Sequence, residues 1–384
     1  FKESFDMRTC DMFCRVIDNY GDAGVSWRLA QMLAKEYDWA VRLIIDDAAV
    51  LSAIVPTAKA EVARVKAGSV TVCDWIEDGS DVPFRPWDGQ AADVVIELFS
   101  CRLPDAYEAA IARRFETSPC AVFALDYLTA EKYAEEGNGL PSPHPRYGYD
   151  KTFLFPGFSE KTCGINRERN LQQIFNPARK ESVRKRLFAE FGADPEHPFT
   201  LYFFTYPEMP VEGFAQCLAQ DPRPVQVLAA PGAASARLKR ALESLEAPHI
   251  CFVQASMVAQ DVFDDVLLSC DAALIRGEDS VLRAQLAGIP MIWTLYPQQE
   301  DTHLTKLAAF ASLYTQALPQ TARQAWLEIE DYVNNGPVHE HVWKNWRDHI
   351  EELQAGATVW QKTLFSLPTL AESISKLAEK KLKF

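Results

Sequence analysis

The most constraining feature of the sequence is a buried-strand pattern that runs through a polar, glycine-bearing loop into an amphipathic helix. Residues 12–17 form a short apolar run, and residues 18–24 then read Asp-Asn-Tyr-Gly-Asp-Ala-Gly. The next segment repeats apolar residues at positions i, i+4, i+7 and i+8, namely Val25, Leu29, Met32 and Leu33. A strand, a tight loop and a helix in this order predict a βαβ unit of a parallel sheet.

The same alternation of short apolar runs and helical periodicity continues to about residue 299, which predicts an α/β protein. Further strands are predicted at residues 41–45, 94–99, 121–125, 200–205, 225–229, 250–253, 272–275 and 291–295. Helices are predicted at residues 260–268 and 280–287, and then near 301–315, 320–334, 338–354 and 368–382.

The alternation of strand and helix patterns is interrupted near the middle of the chain, which suggests two domains. A chain of 384 residues is also longer than one ordinary hydrophobic core accommodates. Residues 141–145 read Pro-Ser-Pro-His-Pro, which predicts irregular structure. We predict a domain over residues 1–175, a second over 176–355, and a helical tail over 356–384 that crosses back to the first. Two Rossmann-like domains facing a cleft, with a helical C-terminal tail, are typical of the GT-B architecture.

Composition narrows the classes of partner. The chain has 39 Lys and Arg against 53 Asp and Glu, a formal charge of −14, which disfavours nucleic acid and anionic membranes and suits a cationic target. Apolar runs stay short of the roughly 20 residues that span a bilayer, so we expect a cytoplasmic protein. Nine cysteines without a Cys-x-x-Cys pair predict reduced, mostly buried thiols, and we expect no metal and no cofactor.

Two carboxylates, Asp18 and Asp22, lie in the loop after the first strand, where α/β proteins bind ligands. Negative side chains at these positions would repel a pyrophosphate, so the loop is better suited to a general base or to holding a cation. The alternative is that either aspartate merely caps the helix or shapes the turn.

A second polar segment, Arg-Gly-Glu-Asp-Ser over residues 276–280, stands between a predicted strand and an amphipathic helix. Backbone N–H groups at this helix start suit a diphosphate, and Glu278 is placed to accept hydrogen bonds from sugar hydroxyls. The alternative is that this segment is an ordinary helix N-terminus, in which acidic residues of the first turn and a serine cap stabilise the helix without any ligand.

Aromatic residues follow the same predicted edge of the second sheet. A flat pyrimidine base needs an aromatic platform and an amide hydrogen bond, which Phe263 and Gln260 are placed to supply. The other aromatic residues at this edge are Phe204, Tyr206 and Tyr296. The alternative is that these side chains belong to the core.

These motifs together resemble one family, the bacterial protein-arginine rhamnosyltransferases that modify translation elongation factor P (the EarP family). The matching blocks cover most of the chain, from about residue 12 to 303. They are Asp18-Asn-Tyr-Gly-Asp-Ala-Gly-Val-Ser-Trp-Arg-Leu-Ala30, Gly157-Phe-Ser-Glu-Lys161 with Arg167-Glu168, Arg276-Gly-Glu-Asp-Ser280, Arg283-Ala-Gln285, Ala287-Gly288, Trp293 and Tyr296-Pro-Gln298.

The resemblance implies an inverting GT-B glycosyltransferase that moves L-rhamnose from dTDP-β-L-rhamnose to an arginine of elongation factor P, making α-rhamnosyl-arginine without a metal. It implies that Asp22 is the catalytic residue, that Asp18 and Asn19 line the same site, and that Glu278 is essential. It assigns donor binding to Asn19, Phe204, Tyr206, Gln260, Phe263, Asp279, Ser280 and Tyr296. It also points to the N-terminal domain as the surface that docks the protein acceptor.

Two other functions remain open at this point. One is a GT-B transferase with another nucleotide sugar or a small acceptor. The other is a non-catalytic protein that binds a basic target through Asp18 and Asp22. A nicotinamide oxidoreductase is disfavoured, because the loop lacks the Gly-x-Gly-x-x-Gly fingerprint.

Overall fold

The computed structural model describes residues 7–18, 20–56, 68–75, 90–297, 302–336 and 340–383. Contacts divide the chain into two compact units, Phe1–Arg169 with Leu367–Phe384, and Asn170–Ser366. The domain limits predicted from sequence lie after residues 175 and 355, whereas the chain leaves the first unit after Arg169 and returns to it at Leu367.

The first unit is a parallel sheet with helices in its connections. Its strands are β1 (Thr9–Cys14), β2 (Ala40–Ile45), β3 (Ser69–Asp74), β4 (Val94–Leu98), β5 (Ala121–Leu125), β6 (Pro141–Pro143) and β7 (Asp150–Leu154). Its N-terminal helices are α1 (Tyr20–Tyr37), α2 (Ala48–Ile54), α3 (Asp105–Phe115) and α4 (Lys132–Gly137). Every residue of β2 and β4 is buried, as expected for strands covered on both faces.

The strand order in this sheet is β3-β2-β1-β4-β5-β7-β6, and only the pairing of β6 with β7 is antiparallel. From β1 the chain moves to β2 on one side and later reaches β4 on the other. The carboxyl ends of β1 and β4 therefore form the switch point of the sheet, where ligands bind in open α/β folds.

Alternate residues of the strands build two apolar layers, one on each face of the sheet. Met12 and Val41 pack in the layer that contains Leu29 of α1. Phe13 and Ile44 belong to the same two strands but alternate with these residues. They pack in the other layer, which contains Tyr107 of α3. This division follows from the two-residue period of a strand.

The second unit repeats the design with five strands in the order β10-β9-β8-β11-β12, all parallel. The strands are β8 (Thr200–Phe203), β9 (Val225–Ala229), β10 (Ile250–Gln254), β11 (Ala272–Arg276) and β12 (Met291–Thr294). The helices are α5 (Leu171–Ile174), α6 (Lys180–Phe191), α7 (Val211–Gln220), α8 (Ala233–Ser244), α9 (Gln260–Ser269), α10 (Asp279–Ala287), α11 (Thr302–Tyr314), α12 (Gln320–Asn335), α13 (Val342–Asp348) and α14 (Ile350–Ser366), with a 3₁₀ turn at Pro177–Arg179.

The last helix, α15 (Leu370–Leu382), belongs to the first unit and contacts α1. The segment before it passes over Gly164, which has a φ of +81°. A Cβ atom at Gly164 would lie 2.1 Å from the carbonyl oxygen of Pro368, so only glycine fits this close crossing.

Two further features bear on the predictions from composition. Within the part of the chain that the structure describes, no helix has the length and apolar character of a membrane span. All nine cysteines are free, and seven of them are buried, which agrees with their prediction as apolar core residues.

Three local predictions were wrong. Residues 18–24 were expected to form a loop, yet α1 begins at Tyr20 and includes residues 20–24. Residues 141–145 were expected to be irregular, yet Pro141–Pro143 forms the edge strand β6, where proline is tolerated because its missing N–H faces away from the ladder. A single helix was expected at 338–354. Instead α13 ends at Asp348, and α14 begins at Ile350 and continues to Ser366, beyond the predicted limit.

A buried polar cluster crosses the middle of the first sheet. Asp11 of β1 is fully buried, and its carboxylate accepts hydrogen bonds from Arg42 Nε at 2.6 Å and Arg42 Nη2 at 2.5 Å. The Tyr107 hydroxyl also donates to Asp11 Oδ2. The pair ties β1 to β2 and, through Tyr107, to α3. Because its members are buried, each depends on the others for its stability.

We predict that Arg42→Met lowers the free energy of unfolding by about 3–5 kcal/mol, because it leaves the Asp11 carboxylate buried and unpaired. The double variant Asp11→Asn/Arg42→Met should regain part of this loss, since a neutral amide still accepts from Tyr107. Urea unfolding measures both effects. Arg237→Met, which breaks the exposed pair of Arg237 and Glu212, serves as the control. It should lower the free energy of unfolding by no more than about 1 kcal/mol. Equal losses for Arg42→Met and Arg237→Met would contradict the prediction.

Candidate active site

Asp22 lies in the first turn of α1, in an unusual environment for a helical aspartate. Asp22 is the third residue of α1 and is only 1% exposed. Its Oδ2 atom accepts hydrogen bonds from the backbone N–H groups of Ile17 at 2.7 Å and Asp18 at 2.8 Å. Both donors precede the helix, so the carboxylate organises the loop at the end of β1. Of the alternatives raised by the sequence, capping of α1 does not describe this geometry, whereas shaping of the turn before the helix does.

Burial raises the pKa of Asp22 above its ordinary value of 3.8, and the negative charge of Asp46 adds to the rise. The two backbone N–H bonds and a hydrogen bond from Tyr127 act in the opposite direction. Because burial outweighs these bonds, the carboxylate is a stronger base than an exposed aspartate. The arrangement suits a group that takes up a proton.

Asp18 lies beside Asp22, as the sequence predicted. Its carbonyl oxygen accepts the N–H of Gly21 at 2.8 Å, which closes the turn. A Cβ atom on Gly21 would lie 2.9 Å from Asp18 Oδ2, so the glycine leaves room for this half-buried side chain. Asn19, also predicted for this site, lies outside the residues that the structure describes.

Residues that reach this loop from neighbouring strands were not predicted from the sequence. Tyr127 follows the end of β5 and stacks on Phe99, which follows β4, with ring centroids 4.3 Å apart. Phe99 and Ser100 both have positive φ angles, +53° and +55°, a conformation that non-glycine residues rarely adopt. Strained backbone of this kind clusters at functional sites. The positions of these residues just beyond strand ends were the signal available in the sequence.

The central motif of the sequence anchors the helix that carries Asp22. Glu168 forms an ion pair with Arg28 of α1 at 3.2 Å, and Asn166 donates through Nδ2 to the carbonyl oxygen of Val25 at 3.0 Å. These bonds fix the first half of α1, and with it the Asp22 loop. In this structure, Glu168 therefore acts on the site through α1.

In the second unit, aromatic side chains surround Arg276 at the switch point between β8 and β11. The guanidinium carbon of Arg276 lies 4.6 Å from the ring centroid of Phe204 and 4.6 Å from that of Tyr206. Tyr206 in turn contacts Tyr296 edge-on, with centroids 5.6 Å apart. The structure therefore brings together three of the predicted aromatic residues, and Tyr296 is 59% exposed. A cation held between rings adds positive charge to this edge.

The start of α10 follows a tight turn at the end of β11. Gly277, with a φ of +75°, turns the chain directly from β11 into the helix, which a side-chain-bearing residue would resist. The N-cap residue is Glu278, and its side chain makes no cap bond. Ser280 lies inside the first turn, so the expected alternative of a serine cap is wrong. Gln260 Nε2 donates to Asp279 Oδ2 at 3.2 Å and joins the start of α9 to the start of α10.

A fully buried ion pair holds α9 and α10 together. Arg283 Nε donates to Asp264 Oδ1 at 2.8 Å, and Arg283 Nη2 to Asp264 Oδ2 at 2.5 Å. The adjacent Phe263 is half-buried and contacts Tyr202 edge-on, with centroids 5.7 Å apart. The matched motif residue Arg283 therefore positions the two helix starts.

The described residues contain no cluster of three or more His, Cys, Asp or Glu side chains arranged to hold a metal ion. They contain a buried carboxylate in the first unit and, in the second, the start of α10 close to a guanidinium that lies against two aromatic rings. The first arrangement suits a proton acceptor. The second suits a phosphate-bearing ligand.

Comparison of the whole chain with known proteins points to one family. Residues 10–379 match the family model described as elongation factor P (EF-P) rhamnosyltransferase EarP. A protein-arginine rhamnosyltransferase of Pseudomonas putida is 36% identical over 378 residues, which cover 95% of this chain and 97% of the relative. One of Neisseria meningitidis is 34% identical, covering 97% and 98% of the two chains.

Solved structures agree with this result. One, from work on the structural basis for EarP-mediated arginine glycosylation of translation elongation factor EF-P, has a TM-score of 0.63 and 26% identity, covering 97% of this chain and 99% of that one. MurG of Acinetobacter baumannii has a TM-score of 0.52 at 11% identity, covering 98% and 100%. The latter likeness concerns the fold alone. The fold is that of GT-B glycosyltransferases, as predicted.

We predict that the pKa of Asp22, followed by NMR of ¹³Cγ-labelled aspartates, lies above 3.8. Tyr127→Phe should raise this pKa further, because a hydrogen bond to the carboxylate is lost. Asp46→Asn should lower it, because a nearby negative charge is removed. Shifts of the same sign in both variants, or none in either, would contradict the description of the site.

Proposed function

The chain belongs to the EarP family of elongation factor P rhamnosyltransferases, and on that premise we propose that it transfers L-rhamnose from dTDP-β-L-rhamnose to an arginine side chain of elongation factor P. The reaction inverts the anomeric centre and forms an α-rhamnosyl-arginine bond. It takes place in the cytoplasm, where translation factors act. The enzyme uses neither a metal nor a further cofactor.

The observation that carries the proposal is the buried Asp22 carboxylate at the end of β1. The backbone N–H groups of Ile17 and Asp18 both donate to Oδ2 of Asp22, and neither donates to Oδ1. A guanidinium is a planar donor that suits a carboxylate. Since Asp22 is only 1% exposed, the acceptor arginine reaches it when a neighbouring side chain moves aside on binding. Asp18, half-buried next to it, then provides a second charged contact that orients the guanidinium.

Arginine is a difficult nucleophile, and this limits the role of Asp22. The pKa of the arginine guanidinium exceeds 12, whereas an ordinary aspartate has a pKa near 4. Full proton transfer before attack would therefore cost about 11 kcal/mol. Burial raises the pKa of Asp22 and narrows this gap without closing it. Asp22 therefore binds the guanidinium, aims one nitrogen at the anomeric carbon, and accepts its proton as the C–N bond forms.

The donor half of the reaction belongs to the second unit. Negative charge develops on the leaving diphosphate of dTDP, and backbone N–H groups at the start of α10 stabilise it. Glu278 contacts the sugar, and Asp279 and Ser280 lie beside the phosphates. Arg276, stacked between Phe204 and Tyr206, adds a positive charge at the same edge.

The thymine base has a separate group of contacts in this proposal. Gln260 supplies an amide hydrogen bond, and Phe263 supplies one of the rings. Both belong to the first half of α9, whose start is joined to that of α10 by the bond between Gln260 and Asp279. Tyr296, which is exposed, faces the diphosphate or the sugar.

Intact-mass spectrometry of elongation factor P after incubation with the enzyme and dTDP-β-L-rhamnose tests the reaction. We predict a gain of one deoxyhexose on an arginine. Asp22→Asn should reduce turnover by at least about 100-fold, because the amide is a far weaker proton acceptor. Glu278→Gln should also lose most of the activity. NMR of the product gives its anomeric configuration.

Matched variants control for folding. Asp38→Asn changes an exposed residue near the other end of α1, and Glu243→Gln changes an exposed glutamate of α8. Both should keep wild-type turnover. Near-normal turnover of Asp22→Asn would overturn its role as proton acceptor. A folded wild-type enzyme that modified elongation factor P only with uridine or guanosine diphosphate sugars would overturn the donor assignment, and binding without any mass gain would overturn the proposed reaction.

A further inference from the structure

The edge strand β12 leads directly to Tyr296, and its outer side is not covered by another strand of the described chain. An edge strand presents backbone N–H and C=O groups that need partners when they are buried. All four residues of β12 are buried. The partners of these groups therefore decide how firmly the end of β12, and the residues after it, are held.

Helix α12 supplies these partners with side chains. Trp326 Nε1 donates to the carbonyl oxygen of Met291 at 2.9 Å. Glu330 Oε1 accepts the N–H of Trp293 at 2.8 Å. Asn334 both accepts the N–H of Leu295 through Oδ1 at 2.9 Å and donates through Nδ2 to the carbonyl oxygen of Trp293 at 2.8 Å.

The spacing of these bonds explains why a helix can cover this edge. The three side chains are four residues apart on α12, which is about 6 Å along a helix. Their backbone partners are two residues apart on the strand, which is about 6.6 Å. The two repeats match closely enough for three successive contacts. Side chains of α12 therefore occupy the position of an additional strand.

The last of these contacts is next to Tyr296. The Asn334 carboxamide holds Leu295, the residue immediately before it. From the other side, the Thr294 hydroxyl bonds to the carbonyl oxygen of Ile275 at 3.2 Å and accepts from Thr205 at 2.9 Å. The backbone is thus fixed up to residue 295, and the exposed Tyr296 ring extends from this fixed point toward Tyr206.

Glu330 accepts the hydrogen bond from Trp293 in a buried, apolar environment. Its side chain is fully buried, and burial raises the pKa of Glu330 well above the ordinary range, although the Trp293 N–H bond acts in the opposite direction. A neutral carboxyl group accepts this hydrogen bond without leaving an unpaired charge in the core. Its amide analogue, glutamine, keeps an oxygen for the same bond.

We propose that Asn334 and Glu330 are positioning residues for donor binding, which act by fixing the backbone that presents Tyr296 to the nucleotide sugar. The inference rests on the proposed function, because it takes Tyr296 as a donor contact. Neither side chain touches the substrate in this account. Their effect reaches the donor through Trp293, Leu295 and Tyr296.

Steady-state kinetics with dTDP-β-L-rhamnose, together with calorimetric binding of dTDP, test the proposal. Asn334→Ala should raise the donor KM roughly fivefold, the effect of about one lost hydrogen bond, with a smaller change in kcat. Glu330→Leu should act in the same direction. Glu330→Gln should keep the wild-type KM, because the glutamine amide oxygen still accepts the hydrogen bond from the Trp293 N–H group.

Two comparisons separate positioning from general loss of stability. Trp326→Phe removes the bond at the opposite end of β12, and should lower the Tm without raising the donor KM. In a Tyr296→Ala background, Asn334→Ala should cause no further rise in KM, because the residue through which it acts is gone.

The inference alone is overturned if Tyr296→Ala raises the donor KM but Asn334→Ala adds its full effect in that background. It is also overturned if Trp326→Phe raises the KM as much as Asn334→Ala does. A donor KM and dTDP affinity unchanged by Tyr296→Ala would remove Tyr296 from the proposed donor site, and this inference with it.

Discussion

All strands of a parallel sheet end at the same edge, and this constraint organises both units. Where the strand order reverses, two neighbouring strands send their chains to opposite sides and leave a crevice at their carboxyl ends. In the first unit the crevice lies beyond β1 and β4, next to Asp22 and Phe99. In the second it lies beyond β8 and β11, next to Phe204 and Arg276. Residues distant in the sequence meet at these edges because the sheets bring their strands together.

Buried polar bonds then hold the elements at these edges in place. The carboxylate of Asp11 joins β1 to β2, and that of Asp264 joins α9 to α10 through Arg283. Such pairs are costly to bury, and each stays stable only while both partners are present. Side chains that make these bonds set the position of residues that bind ligands. Neighbouring motifs can therefore differ in kind, as Arg283, which makes such a bond, and Glu278, to which the proposed function gives a donor contact, illustrate.

Much of this arrangement could be predicted from the sequence, because short apolar runs, glycine loops and helical periodicity are local signals. They placed Asp22 and Glu278 at strand ends. Local signals did not predict that Pro141–Pro143 would pair as an edge strand, or that Asp22 would bond to Ile17, since these depend on tertiary contacts. The hydrogen bond from Tyr127 to Asp22 was missed for the same reason, because it joins loops that follow different strands.

The central claim is that the buried Asp22 carboxylate accepts a proton from arginine, and the pH dependence of kcat/KM for elongation factor P at saturating donor tests it most directly. At saturating donor this ratio reports the ionisation of the enzyme–donor complex to which elongation factor P binds. Because burial raises the pKa of Asp22 above 3.8 and only the ionised form accepts a proton, activity should fall about tenfold for each pH unit below that raised pKa. Tyr127→Phe should move this acid limb to higher pH. A limb that Tyr127→Phe leaves in place, or activity that persists undiminished down to pH 3.8, would contradict the account.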